Sequence, residues 1–354
     1  MTIDLNRASL LSDLSLVRPA VSNQAFVPSL THFLFTGYGV VGYNDISAIE
    51  VKADLDLNCC VPADLLIKSL NSLSGEKVAI DEGEGFIVIS SGRSKVKIPT
   101  LPAEDFPFLI PHHEYKRGIE IDAGILSGIE KCLLGVGTDP THVAQMGVTL
   151  EPGKSAVLYS TDNRSMSRYI TESDINLPGD SPVVLPTFFC SQLLQLSKSF
   201  KGEEITLYFL SGSVSASIGD QAFLYTKLIS DLEPLDFATI IRKHLNAEEF
   251  DKHPIPSGLD DAVSRAELIT SSELDKLVNI EIKRKSMYVT SSSSLGETRD
   301  VLSTSADDFP TFTVDPQLLS RALKVCRDIS FLDGVLVLFT EDFTHLIAHS
   351  REAK

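Results

Sequence analysis

The chain has 354 residues, with 31 Lys and Arg against 48 Asp and Glu for a formal net charge of −17, and its hydrophobic share of 43% can supply two or three separate cores. This balance argues against a basic surface that wraps nucleic acid. MTIDLNRASLL carries an acid at once and no apolar h-region, so it is not read as a signal peptide, and no run approaches the roughly eighteen apolar residues of a membrane span. The cysteines Cys59, Cys60, Cys132, Cys190 and Cys326 are odd in number, lack CxxC spacing and sit in apolar patterns. They are expected to be reduced core residues of a cytoplasmic protein, with no metal or cofactor.

In IDLNRASLLSDLSLVRPAV, Asn6 is placed to cap a helix whose face carries Leu10, Leu14 and Val17, and Pro19 ends the run. Alternating strands FLFTGYGVVGYN and AIEVKADLDLN follow. In CVPADLLIKSLNSLSGEKVAIDEGEGFIVISS, Pro62 starts a second helix with Leu66, Leu70 and Leu73 on one face, Gly75 stops it, and DEGEG turns a hairpin. FPFLIPHHEYKRG, broken by Pro107 and Pro111, reads as a linker.

The same grammar then repeats. IEIDAGILSGIEKCLLGVG opens it, MGVTLEPGKSAVLYSTD and SMSRYI supply strands, and Pro186 starts a helix with Phe189, Leu193, Leu196 and Phe200 on its stripe. A second linker, RKHLNAEEFDKHPIPSG, precedes a third copy, with GLDDAVSRAELIT, strands VNIEIKRKSMYVTSSS and TRDVLSTSA, and a helix from Pro316 bearing Leu319, Leu323 and Cys326. Pro62, Pro186 and Pro316 stand 124 and 130 residues apart, a period of domain size. The expectation is three α+β domains over residues 1–113, 114–250 and 251–354, each with two helices on one face of an antiparallel sheet.

Basic residues lie off the apolar stripes of these helices: Lys68, Lys198 and Lys201, and Arg321, Lys324 and Arg327. They are either ordinary solvated faces or one local positive surface on an acidic protein. No catalytic constellation stands out. His112, His113 and Glu114 are adjacent without an HExxH spacing, Ser160 to Asp162 lacks a histidine pattern, and SGRS lacks the GxxxxGK[ST] of a phosphate loop.

The stretch SGRSKVKIPTLPAEDFP, Ser91 to Pro107, resembles the end of the first domain of the bacterial sliding clamp, the beta subunit of DNA polymerase III, where the family pattern is close to SGRSxFxLxTLPAxDFP. GVTLEPGKSAVLYSTDNRSMSRYI resembles the second-domain stretch with the ATDGHRLA pattern, TKLISDLEPLDFATII resembles KLxxGxFPDYxxVIP, and DDAVSRAELITSSELDKLVNIEI resembles the opening of the third domain. The resemblance implies three-domain crescents that close head to tail into a homodimeric ring around duplex DNA, without base readout. Twelve helices would line the hole, DNA polymerase and clamp loader would be the partners, and nothing would be catalysed.

Three sets of residues carry over. A phenylalanine of the DFP segment, Phe106, is matched to a contact with Leu268 and Ile269 of a second chain, the alternative being a core residue of its own domain. A pocket for short hydrophobic partner peptides is matched to Thr161, Asn163, Arg164, Ser165 and Met166, with Ile240 and Ile241. Here NRSM stands where the family has GHRL, which implies an altered pocket, or else a plain surface turn. The hole lining is matched to Arg7, Arg18, Lys68, Lys131, Lys198, Lys201, Arg265, Arg321, Lys324 and Arg327, with the loop GTDPTH. The chain stops at HSREAK where the family adds a final strand, so a shortened third domain without that edge strand, and a pocket without its outer wall, is expected. A scaffold of the same fold that never encircles DNA is the alternative.

Overall fold

The computed structural model describes residues 2–53, 55–110, 118–210, 212–228, 232, 234–237, 239, 241, 251–270 and 277–351. They form two compact units, residues 1–122 with 191–230 and residues 123–190 with 231–354.

In the first unit, helix α1 (Arg7–Val17) begins where expected: Asn6 Oδ1 accepts the N–H groups of Ala8 and Ser9 at 3.0 and 3.1 Å. Its buried Leu10, Leu14 and Val17 lie on the strands Gly39–Tyr43 and Ser47–Lys52. Gly42 permits the approach, since a Cβ there would stand 2.8 Å from Val21 Cγ2 and 2.9 Å from Val17 Cγ1. Helix α2 (Ala63–Ser72) starts one residue later than the sequence suggests. Pro62, at ψ 116°, is extended and closes the strand Cys59–Pro62, so the proline precedes the first turn instead of occupying it. Leu66 and Leu70 are fully buried, each contributing about 2 kcal/mol by removal from water.

Two antiparallel sheets complete this unit. Thr2–Asn6, Lys77–Gly83, Phe86–Ser91 and Ser94–Pro99 pair in that order. A nine-stranded sheet runs from Ile119–Ile121 through Ile205–Leu210, Ser213–Ile218 and Ala222–Lys227 to Ser47–Lys52, and ends at Leu101–Pro102. The segment after that edge does not leave the protein as a linker. Phe106, Phe108 and Ile110 pack on Leu34, Val41, Tyr43 and Ala48, while residues 111–117, with His112, His113 and Glu114, lie outside the described set.

In the second unit, α3 (Ala123–Cys132) packs on the hairpin Val157–Thr161 and Ser165–Ile170. An eight-stranded sheet carries this hairpin edge to edge onto Phe343–Ala348, with Met166 opposite Leu346 and Ser167 opposite His345. The strand Val183–Pro186, which Pro186 again closes, leads into helix α4 (Thr187–Ser199), whose residues from Ser191 on belong to the first unit. Helices α5 (Leu259–Thr270) and α6 (Pro316–Leu323) pack together, α5 over the strands Ser286–Ser293 and Gly296–Ser303 of a five-stranded sheet. Pro316 occupies the first turn of its helix, and Asp315 Oδ1 caps it.

The final edge strand, expected to be missing, is present. Ser350–Arg351 pairs with Phe309–Val314, Arg351 opposite Phe312. An edge strand can present its side chains to water, so the polar HSREAK does not oppose strand formation. All five cysteines are buried and unbridged, and burial pushes the thiols of Cys59, Cys60, Cys190 and Cys326 up to about 12.

Candidate functional site: an apolar groove and a set of helix cations

A groove of about 100 Å³ opens in the second unit at the end of the Val157–Ile170 hairpin. Thr161, Asn163, Arg164 and Ser165 form its polar rim, and Met166, Ile241, Val335, Leu346 and Ala348 its apolar walls. Six of the seven residues expected from the sequence are thereby brought together, and Ile240 lies outside the described set. The third side is Val335, Leu346 and Ala348, which the sequence reading left out and replaced by an expected gap. Their apolar alternation in GVLVLF and FTHLIA signals buried strands, but only the pairing of Ser165–Ile170 with Phe343–Ala348 brings them here. The floor continues into a core of Tyr159, Phe237, Val337 and Phe339, where the rings of Tyr159 and Phe237 stack at 4.9 Å. Burial there raises the Tyr159 pKa.

The rim is stiff because its polar groups are satisfied within the fold. Asp162 Oδ1 accepts from the N–H groups of Arg164 and Ser165 at 2.9 and 2.5 Å, with Asn163 between them at φ 68°, a conformation Asn tolerates. Gln145 Nε2 donates to Asn163 Oδ1 at 2.7 Å, and Thr161 Oγ1 donates to Ser165 O at 2.7 Å. Arg164 Nη2 lies 2.6 Å from Asp315 Oδ2, so one carboxylate both caps α6 and anchors the rim arginine. An apolar slot of this size with a fixed polar edge can take an apolar side chain while the rim bonds to a peptide backbone. Ser160 is no nucleophile candidate here: its hydroxyl is buried and donates to Cys132 O.

The ten cations matched to a hole lining fall into two groups. Arg7 donates to Gly75 O and Leu70 O at the end of α2; Arg18 pairs with Asp64 at 2.8 Å; and Arg265 pairs with Asp300 at 2.7 Å. The Lys131 ammonium lies 4.8 Å from the Tyr169 ring centroid. Lys68, Lys198, Lys201, Arg321, Lys324 and Arg327 are exposed, and Arg321 and Lys324 line a polar hollow beside Gln317 and Glu267. In the GTDPTH loop, Asp139 accepts from the Thr141 N–H and hydroxyl, which hold its carboxyl below the usual range. Of the residues matched to a dimer contact, Phe106 is 6% exposed and buried in its own unit, Ile269 is half-buried, and Leu268 is 71% exposed.

Residues 1–111 match the family model described as DNA polymerase III beta subunit, N-terminal domain. The whole chain superposes on solved beta subunits. With that of Thermotoga maritima the TM-score is 0.83 at 18% identity, over 99% of this chain and 100% of that one. With that of Streptococcus pyogenes it is 0.81 at 21%, over 99% and 100%. The chain has the fold of a DNA sliding clamp. A sliding clamp of Pseudomonas aeruginosa, solved with griselimycin bound, matches with a TM-score of 0.83 at 17% identity over 99% of both chains, so the clamp fold here is a divergent one. No curated protein sequence matches the chain.

Proposed function

We propose that the chain is a sliding clamp: two copies, each of three similar domains, close head to tail around duplex DNA and tether a DNA polymerase, after a clamp loader has placed the ring. The observation that carries this reading is the clamp fold over 99% of the chain, with the match of residues 1–111 in support. The work is mechanical. It takes no cofactor and no catalytic group, and it belongs in the cytoplasm.

The exposed cations Lys68, Lys198, Lys201, Arg321, Lys324 and Arg327 supply a diffuse positive lining that meets phosphates through water. Phosphate contacts carry no sequence information, and each is replaced by an equal one a step along the backbone, so the ring slides. A net charge of −17 keeps DNA from collecting on the other surfaces. Closure draws on two unpaired edges: Ser94–Pro99 ends one sheet and Gly296–Ser303 another. The first bears Lys95 and Lys97; the second bears Glu297, Arg299 and Asp300, of which Asp300 is paired with Arg265, so Glu297 is the carboxylate that would meet a lysine in strand addition between chains. Leu268, exposed on α5, and Ile269 would meet the DFP segment of the other chain, whose Phe106 is buried in the core of its own unit. The groove around Met166 holds an apolar peptide of the polymerase or the loader.

The test is topological. The protein is expected to run near twice 38.6 kDa, to stay on nicked circular DNA after loading, and to be lost when that DNA is linearised. Equal retention on linear and circular DNA, or a monomeric mass, points instead to a scaffold that never encircles DNA.

A further inference from the structure

One face of the nine-stranded sheet is only partly covered. Gly42 faces α1, where a Cβ would stand 2.9 Å from Val17 Cγ1, so by alternation Val41 and Tyr43, and across the ladder Glu50 and Ala48, point the other way. The chain itself closes part of this second face, since Phe106, Phe108 and Ile110 lie on Val41, Tyr43 and Ala48. Beyond that cover, within the first unit, a cavity of about 400 Å³ opens over Glu50, Lys52, Tyr208 and Phe223. Ser217 and Ala222, which also line it, are too short to fill it.

The walls are aromatic and held in place. The Tyr208 and Phe223 rings lie 6.3 Å apart with planes 27° from parallel. Gly118 backs Tyr208: a Cβ there would stand 2.8 Å from Tyr208 Cε1, so its bare backbone packs against the ring. Tyr38, which also lines the cavity, is 84% exposed on a tethered backbone, its carbonyl accepting the Ala53 N–H at 3.0 Å. Tyrosine rings shown in this way lose little entropy on contact. The charges are tied down as well. Lys52 Nζ lies 2.7 Å from Asp220 Oδ2 and Gln221 Nε2 donates to Oδ1 at 2.6 Å, and these two partners hold the Asp220 carboxyl below the usual range. Two carboxylates therefore face one ammonium, and the net negative charge falls to half-buried Glu50, opposite Phe223 on the neighbouring strand.

We propose that this cavity binds the guanidinium of an arginine presented by a partner protein, laid flat against the tyrosine rings and donating to the Glu50 carboxylate. Aromatic faces attract a planar cation through their quadrupole, and a carboxylate beside them accepts its paired N–H groups. A lysine ammonium is a strongly hydrated point charge that uses neither the plane nor the paired acceptor, so arginine is the better match. Nucleic acid is a poor occupant, because its phosphates would meet Glu50. The site shares no residue with the groove around Met166 and does not depend on what that groove holds.

The test uses the full chain with tyrosine ¹³C-labelled at the ε carbons, the Tyr38 and Tyr208 signals being assigned from Tyr38→Phe and Tyr208→Phe. The probe is acetyl-Gly-Arg-Gly-amide, with the lysine peptide and the neutral citrulline peptide beside it. In the wild type the arginine peptide is expected to shift both signals saturably, the lysine peptide to bind several-fold more weakly, and the citrulline peptide to leave both unmoved. Glu50→Gln, which keeps the size of the side chain, is expected to weaken the arginine peptide about tenfold. Signals that stay still with the arginine peptide overturn the inference, as does an equal response to citrulline or an unchanged affinity in Glu50→Gln. Equal binding of the lysine peptide overturns the choice of a guanidinium. The citrulline arm needs no variant, so it decides the matter even where Glu50→Gln fails to fold.

Discussion

Lowering the pH should weaken the second unit through one buried imidazole. His345 is 1% exposed, on the strand that pairs with Ser165–Ile170, with Nδ1 2.9 Å from Ser167 Oγ and its ring 6.1 Å from that of Phe343. Burial lowers its pKa from 6.5 to about 4, because the fold admits only the uncharged ring. Above pH 6.5 both folded and unfolded chains hold it neutral, and its contribution is complete. Between 6.5 and about 4 the unfolded chain takes up a proton that the folded chain refuses, so stability falls as pH falls. At about 1.4 kcal/mol per pH unit the loss reaches roughly 3 kcal/mol by pH 4. Urea unfolding followed by far-UV circular dichroism, at pH 7, 6, 5 and 4, would measure it in the wild type and in His345→Asn. The carboxylates titrate alike in both proteins, so the difference between the two pH profiles isolates His345. Parallel profiles from pH 7 to 4 would refute the reasoning. Met166 and Leu346 neighbour Ser167 and His345 on the same two strands, so the groove should be lost in the same transition.

Leu268→Asp is expected to give a particle of single-chain mass by light scattering, with thermal stability of the monomer nearly unchanged because the side chain is 71% exposed; an unchanged dimer mass removes Leu268 from the contact. Asp315→Ala should cost about 1–2 kcal/mol in urea unfolding, mostly from the lost cap of α6, whereas Asp315→Asn keeps an accepting oxygen for the cap and should cost under about 1 kcal/mol, since Arg164 is 62% exposed. Equal losses in the two variants would show that the ion pair dominates.

The helices were legible because apolar positions at 3- and 4-residue spacing carry their own signal: Leu66 and Leu70, like Leu10 and Leu14, are buried as their spacing requires. The start of α2 was misplaced by one residue because Pro62 satisfies the geometry of an extended strand end as well as that of a first helical turn. The rim of the groove is local in sequence, a single turn from Thr161 to Met166, and could be read. Its far wall could not, since Val335, Leu346 and Ala348 arrive only through strand register, which leaves no mark on either segment alone. Residue type also says little about which cations are available. Arg7, Arg18 and Arg265 look no different in sequence from Arg321, yet the first three are bound to carbonyls or carboxylates of the fold.

Pairing Met166 with Leu346 also sets a condition in time. A ribosome delivers the hairpin Val157–Ile170 long before it delivers Phe343–Ala348, and until then that hairpin lacks its neighbouring strand and the slot beside Met166 lacks two of its walls. A nascent or C-terminally clipped chain therefore cannot offer the groove, however well its earlier residues have folded. The shape of the slot is therefore set late, once synthesis has passed Ala348, and no earlier stretch of the chain can hold it alone.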